Sequence, residues 1–209
     1  AYVVGGYVRD YLMKKNSSDI DICTNARPKD LIKIFNANVP KEKYGSVVVY
    51  YKNTRYEITS FRKELKYENR RPIELEYTDL LEEDLVRRDF TINAMCMDKD
   101  CNITDLYGGK RDIDLRILRC IGDANIKFRE DPLRMLRCIR FSLSLNFKID
   151  QETEKAIFNN LDLLKKISYQ LIFLEINKMK QYNNFINIKE YMSYKLKEKW
   201  MLSIYMQIP

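Results

Sequence analysis

The chain has 209 residues, 45% of them hydrophobic and 32% charged, which is enough apolar material for one large domain or two small ones. It contains no histidine, which removes serine–histidine hydrolases, cysteine–histidine proteases and every histidine-ligated metal site. A formal net charge of +7 favours a polyanionic partner over an acidic or neutral one.

Five cysteines, widely spaced and without a Cys-x-x-Cys pair, read as reduced core thiols rather than a disulfide frame or a zinc site. No apolar run approaches the ~18 residues of a membrane span, and the start does not resemble a signal sequence. The composition predicts a soluble, cytoplasmic protein with no membrane partner, and it sets no oligomeric state. The opening Ala1-Tyr2-Val3-Val4 lacks an initiator methionine and already has strand character, and Ile208-Pro209 closes without a capping signal, so a fragment is expected.

In chain order, the pattern predicts a strand, turn and helix over Tyr2 to Lys15, then a strand from Asp19 to Cys23. A helix follows Arg27-Pro28, and a hairpin-like region rich in β-branched and aromatic residues runs from Gly45 to Phe61. After Asp123 only helical periodicity remains, in Leu133, Leu136, Ile139 and Leu143 and again in Ala156, Ile157, Leu161 and Leu164. The interleaved Tyr, Phe, Ile and Leu between Tyr182 and Lys199 extend that expectation of helix. A boundary near Gly122-Asp123 divides the chain into an α+β part, 1–122, and a helical part, 123–209.

The stretch "GGYVRDYLMKKNSSDIDICT" concentrates the chemistry. Alternation on a strand sends Asp19 and Asp21 to one face and Ile20 and Ile22 to the core. Two such carboxylates repel unless a cation lies between them, and oxygen-only ligands suit Mg²⁺. A solvated edge strand is the alternative. Gly5 and Gly6, placed between a strand and a helix, offer bare backbone N–H groups to a phosphate, with Arg9 on the first turn. Glu57 in "RYEITSF", sharing a face with Arg55 and Thr59, is either a third carboxylate leaning toward the metal or half of a cross-strand ion pair. In "EDPLRMLR", Asp131 and Arg134 are three apart on a helix expected to start at Pro132, which gives one acceptor and one fork of donors along a shared edge.

These stretches, with "RRDFTINAM" (Arg87 to Met95), "DLYGGKRDI" (Asp105 to Ile113) and "EDPLRMLRCIRF" (Glu130 to Phe141) in that order, resemble the class II tRNA nucleotidyltransferases and bacterial poly(A) polymerases. The resemblance spans roughly Tyr2 to Phe147. It implies a polymerase-beta-like nucleotidyltransferase head followed by an all-helical neck, with the tRNA-binding body and tail missing.

By position, the resemblance implies that Asp19 and Asp21 hold catalytic Mg²⁺ and that Gly5, Gly6 and Arg9 hold the triphosphate; Glu57 joins them as a third catalytic carboxylate on its strand position alone. Arg88 and Asp89 would contact the ribose, Asp89 reading its 2′-hydroxyl, and Asn93 would also bind the nucleotide. Asp131 and Arg134 would select C or A without a template, with Arg137 beside the base. Gly108-Gly109 would be a hinge, although a plain hairpin turn explains that pair as well, and the charged "SFRKELKYENRRPIELEY" would be the family's flexible loop. One departure stands out: Gln170 and Leu171 occupy positions that are usually Glu-Arg, while Glu175 is kept. The implied activity is addition of CCA, or its terminal A, to tRNA 3′ ends from CTP and ATP. A poly(A) polymerase shares every motif, and a catalytically silent RNA- or nucleotide-binding module is the reading from outside the enzymes. A small-molecule nucleotidyltransferase would share the glycines and Asp-x-Asp but would not need "EDPLRMLR".

Overall fold

Short apolar runs, several of them rich in valine, isoleucine and tyrosine, build a six-stranded sheet. The computed structural model describes residues 1–35 and 45–182. The sheet order is β3 (Ser46–Tyr51), β4 (Thr54–Ser60), β2 (Ile20–Thr24), β1 (Tyr2–Val4), β7 (Met95–Met97) and β8 (Ile103–Asp105). Only β2 and β4 run parallel; every other neighbouring pair is antiparallel. Helices α1 (Gly6–Leu12), α2 (Pro28–Phe35), α3 (Leu81–Val86) and α4 (Gly109–Asp114) complete this unit.

The alternation anticipated for β2 is present. Ile22 packs with Leu31, Val47 and Ile58 on one face, while Cys23, two residues beyond Asp21, packs with Val4, Phe61, Leu85 and Cys96 on the other. Asp19 lies one residue before the strand begins. The cysteines are free, and burial pushes the Cys23 thiol up to about 12, as befits an inert core residue.

The stretch read as a flexible loop is instead a two-stranded sheet, β5 (Arg62–Glu68) and β6 (Arg71–Tyr77). Its turn residues Asn69 and Arg70 both have positive φ, 47° and 70°, the signature of a two-residue type I′ turn; Lys52 and Asn53, at 46° and 61°, close β3–β4 in the same way. Alternating charges and aromatics had masked a strand period. Gly108-Gly109 forms no hairpin turn. Gly108 caps α4 in the left-handed region, and the Asp105 carboxylate accepts from the Gly109 and Lys110 amides at 2.8 Å each.

The contacts divide the chain into two units: Ala1–Glu68 with Pro72–Leu115, and Asn69–Arg71 with the chain from Arg116 onward. The second unit begins earlier than Gly122-Asp123, where the sequence pattern changes, because β9 (Ile117–Leu118) pairs in parallel with β10 (Lys148–Ile149). Its helices are α5 (Ala124–Glu130), α6 (Leu133–Leu145), α7 (Gln151–Asn160) and α8 (Tyr169–Lys180). Asp123 and Asp150 cap α5 and α7 by accepting from Asn125 and Thr153 amides, and Asn146 ends α6 with φ 57°. The helix expected beyond Tyr182 lies outside the described residues. Among the described residues no helix is long and apolar enough to cross a membrane.

A β-carbon added at Gly109 would lie 2.5 Å from the Thr91 carbonyl oxygen and 2.9 Å from the Met95 side chain, and the backbone oxygen cannot yield. Gly109→Ala is therefore expected to lower stability by about 1–3 kcal/mol, read as a lower urea midpoint with unchanged slope.

Candidate active site

The parallel register of β2 and β4 sets Asp21 beside Glu57, and the antiparallel register of β1 sets Val4 on its other side. Asp19 reaches the same region from the entry to β2, with its carboxylate 82% exposed and 3.9 Å from Arg55 Nη1. Arg55 Nη2 donates to Glu57 at 2.8 Å, so Glu57 pairs along its own strand rather than in the cross-strand ion pair that was the alternative expectation. Asp19, Asp21 and Glu57 line one cavity of about 360 Å³.

Burial, with the Asp19 and Glu57 charges adding to it, raises the Asp21 carboxyl above its ordinary range, and Arg88 and Arg55 only partly offset this. Among the described residues no three histidine, cysteine or acidic side chains are gathered closely enough to form a metal-ligand set. The donor set nevertheless fits a hard divalent cation. All the donors are carboxylate oxygens, Asp21 is an anion disfavoured by its surroundings, and the exposed Asp19 leaves room for substrate or water oxygens.

Arg62, Arg87 and Arg88 line the same cavity, and Arg87 and Arg88 are anchored on Asp84, which stands just before the "RRDFTINAM" stretch. Its fully buried carboxylate accepts from Arg87 Nε at 2.9 Å and Nη2 at 2.7 Å through one oxygen, and from Arg88 Nη2 at 3.1 Å through the other. Burial pushes this carboxyl up, but Arg87 and Arg88 outweigh it and hold it below its ordinary value. The signal was present: acid and base stand at i, i+3 and i, i+4 in "EEDLVRRD". Arg62, Arg87 and Arg88 all line the cavity that holds Asp21.

Gly5 lies close to both sets of charges. With φ 79° and ψ −134° it occupies backbone space that side chains avoid, and a β-carbon there would be 3.6 Å from Arg88 Nη1 and 4.0 Å from Asp21 Oδ2. Gly6 begins α1, and Arg9 packs against it. Arg9 Nη1 donates to Asn93 Oδ1 at 2.7 Å, and Asn93 Nδ2 donates to Asp89 Oδ1 at 3.1 Å. Asp89 also accepts from its neighbour's amide, Phe90 N, at 2.9 Å. The sequence-predicted residues of the first unit thus form a carboxylate–arginine cavity and a buried hydrogen-bonded chain, with Gly5 close to both.

In the second unit the expected shared edge of Asp131 and Arg134 is not present. Asp131 precedes Pro132, a position where helical backbone is disfavoured, and stands extended at φ −142°, outside α6. Its Oδ1 accepts from the Leu133 amide at 3.0 Å and from Arg70 Nε at 2.6 Å. Arg134, 8% exposed, turns to the Lys127 carbonyl at 3.1 Å and Glu130 at 2.7 Å. Arg137 lies over the Phe141 ring at 5.5 Å, as does Arg140 at 4.3 Å. Arg140 Nε donates to buried Glu175 at 2.7 Å, so Glu175 links α8 to α6 although Gln170, exposed, and Leu171 make no such link.

Residues 1–119 match the model of the poly A polymerase head domain. The CCA-adding enzyme of Bacillus subtilis is 43% identical over 183 residues, covering 87% of this chain and 46% of its own length. Among solved structures, the Bacillus stearothermophilus CCA-adding enzyme in complex with CTP superposes with a TM-score of 0.81 at 40% identity, over 88% of this chain and 45% of that one. A tRNA nucleotidyltransferase complexed with a primer tRNA and an incoming ATP analog gives a TM-score of 0.74 at 32% identity, over 92% of this chain and 56% of that one. The chain spans about half the length of these relatives.

The raised Asp21 carboxyl carries a sign. Because its folded-state value lies above the unfolded one, the carboxylate opposes folding at pH above that raised value, and the opposition fades as pH falls through it. Asp21→Asn is expected to raise the melting temperature at neutral pH without divalent ions, with a gain that shrinks under acid. Glu64 and Asp84, held low, act in reverse: their stabilisation is present above the unfolded carboxyl value and is lost as pH falls through the folded one. A melting series from pH 8 to 3 on both proteins separates the two trends.

Proposed function

Because the chain belongs to the poly A polymerase head domain family, we propose that it carries the catalytic chemistry of a template-independent RNA nucleotidyltransferase that completes the CCA end of tRNA from CTP and ATP. The observation that carries this reading is the cavity itself: Asp19, Asp21 and Glu57 line it together with Arg62, Arg87 and Arg88, the last two anchored on buried Asp84. A nucleoside triphosphate has this polarity, needing cations at its phosphates and a cation-binding anion pair where the bond changes. The CCA-adding names of the relatives and the CTP, ATP-analog and primer tRNA in the titles of the solved structures support the same substrates.

The chain's residues divide the task. Arg88 places positive charge toward the phosphates, and Gly5 and Gly6 leave the backbone uncovered for close approach, with Arg9 held by Asn93 behind them. Asp89 accepts from the ribose 2′-hydroxyl, so a deoxynucleotide leaves it unpaired and is rejected. Asp131, Arg134 and Arg137 are assigned to choosing C or A, which requires the first two to exchange their present partners for a base edge. Members of this family generally use a divalent metal. Mg²⁺ held by Asp19 and Asp21 supplies charge neutralisation and a more acidic primer 3′-hydroxyl when bound. A cytoplasmic setting accompanies a tRNA substrate.

The test is incorporation. The protein with Mg²⁺ receives tRNA ending before CCA, or ending in CC, with CTP and ATP singly and together. Addition of C, C and A followed by a stop is expected, and the double substitution Asp19→Ala, Asp21→Ala should lower it by at least about 10²–10³-fold. A tail of A without a stop would make it a poly(A) polymerase, and no incorporation beside unchanged RNA binding would make it a silent module.

A further inference from the structure

Glu64, on β5, is the second buried carboxylate of the arginine wall, with its side chain 6% exposed. A single oxygen, Oε1, accepts from Arg62 Nε at 2.9 Å, Arg62 Nη2 at 2.7 Å and Arg87 Nη1 at 3.4 Å, while Oε2 accepts from the Tyr67 hydroxyl. Two guanidiniums therefore converge on one oxygen. Burial and the neighbouring Arg87 both disfavour the charged form of Arg62, so these cations crowd each other within a largely buried wall. Beside them Arg88 Nε is buried without a hydrogen-bond partner. All three arginines face the cavity that contains Asp21. Crowded cations and an orphaned donor around a polar cavity call for a polyanion.

We propose that Arg62 is a further ligand for the nucleotide's β- and γ-phosphates, and that Glu64 is the positioning residue that holds Arg62 and Arg87 toward them. The inference rests on the nucleotidyltransferase reading and adds to it a phosphate contact from the first residue of the β5–β6 hairpin. Glu64 acts through the arginines and touches no substrate.

Equilibrium binding of CTP and CMP to the chain in Mg²⁺ tests this with Arg62→Gln, Arg62→Lys and Glu64→Gln. Arg62→Gln should weaken CTP by about tenfold to a hundredfold and leave CMP unchanged, since only CTP has the outer phosphates. Arg62→Lys should recover part of the loss, and Glu64→Gln should weaken CTP less than Arg62→Gln. The Arg62→Gln, Glu64→Gln pair should lose less than the sum of the two, because Glu64 works through Arg62. Equal losses for CTP and CMP, or CTP binding unchanged in a variant that melts like the parent, would overturn the assignment. If Arg62→Gln melts early, Arg62→Lys decides: its charge must keep CTP binding above that of Glu64→Gln. A parent chain that binds neither nucleotide would instead overturn the nucleotidyltransferase reading, and this inference with it.

Discussion

The buried carboxylate of Asp84 is the contact on which the candidate site depends. A fully buried anion persists only when paired, and here each oxygen is taken by a different arginine. The pairing runs in both directions: Arg87 and Arg88 keep Asp84 ionised, and Asp84 keeps two long, flexible side chains in one rotamer each on the cavity wall. The Arg62 amide also donates to Asp84, at 3.4 Å, so the same carboxylate joins α3 to the start of the hairpin. Among the cavity's carboxylates the logic is opposite. Asp19, Asp21 and Glu57 are brought together without enough positive charge to satisfy them, and Asp21 shows that strain as a raised carboxyl. Arg55 pairs with Glu57 and stands 3.9 Å from Asp19, yet Asp21 is left without a matching cation, while Arg62, Arg87 and Arg88 line the same cavity, an arrangement suited to a charged ligand.

The carboxylate wall was legible in the sequence because its cause is local. Asp-x-Asp on a strand fixes the side on which both residues lie, and Gly5-Gly6 just upstream fixes where the backbone turns. The arginine wall was only half legible. Arg88 could be named from the resemblance, but the role of Asp84 depends on burial, which no spacing reveals, and Arg62 and Glu64 stood in a stretch whose charges concealed its strand period. The Asp131–Arg134 edge failed for another reason. Helical spacing was applied across a residue preceding proline, where the helix had not begun, so Asp131 became a capping acceptor and Arg134 turned toward α5.

Replacement of Glu-Arg by Gln170 and Leu171 looked, from sequence, like a loss of support for α6. The structure locates that support elsewhere. Glu175, 4% exposed, takes Arg140 and, at 2.9 Å, Lys178, and these partners together outweigh the cost of its burial and hold its carboxyl low. Arg140 in turn covers Phe141, the ring that Arg137 also faces. The ring that Arg137 faces is thus also covered by an arginine that is paired to a different helix.

The hairpin connects these themes within the head. Its first residue, Arg62, and its third, Glu64, belong to the arginine wall, and its β5 strand continues from there to the Asn69-Arg70 turn. A segment read as a loose loop is therefore tied at its root to the charges that line the cavity. Arg62 lines the cavity with the same guanidinium that Glu64 holds, so a charge in the cavity acts on the group that anchors the hairpin root. Occupancy of the cavity and placement of the hairpin root cannot vary independently. Charge entering the cavity therefore acts on a group that also belongs to the hairpin, with no further moving part required.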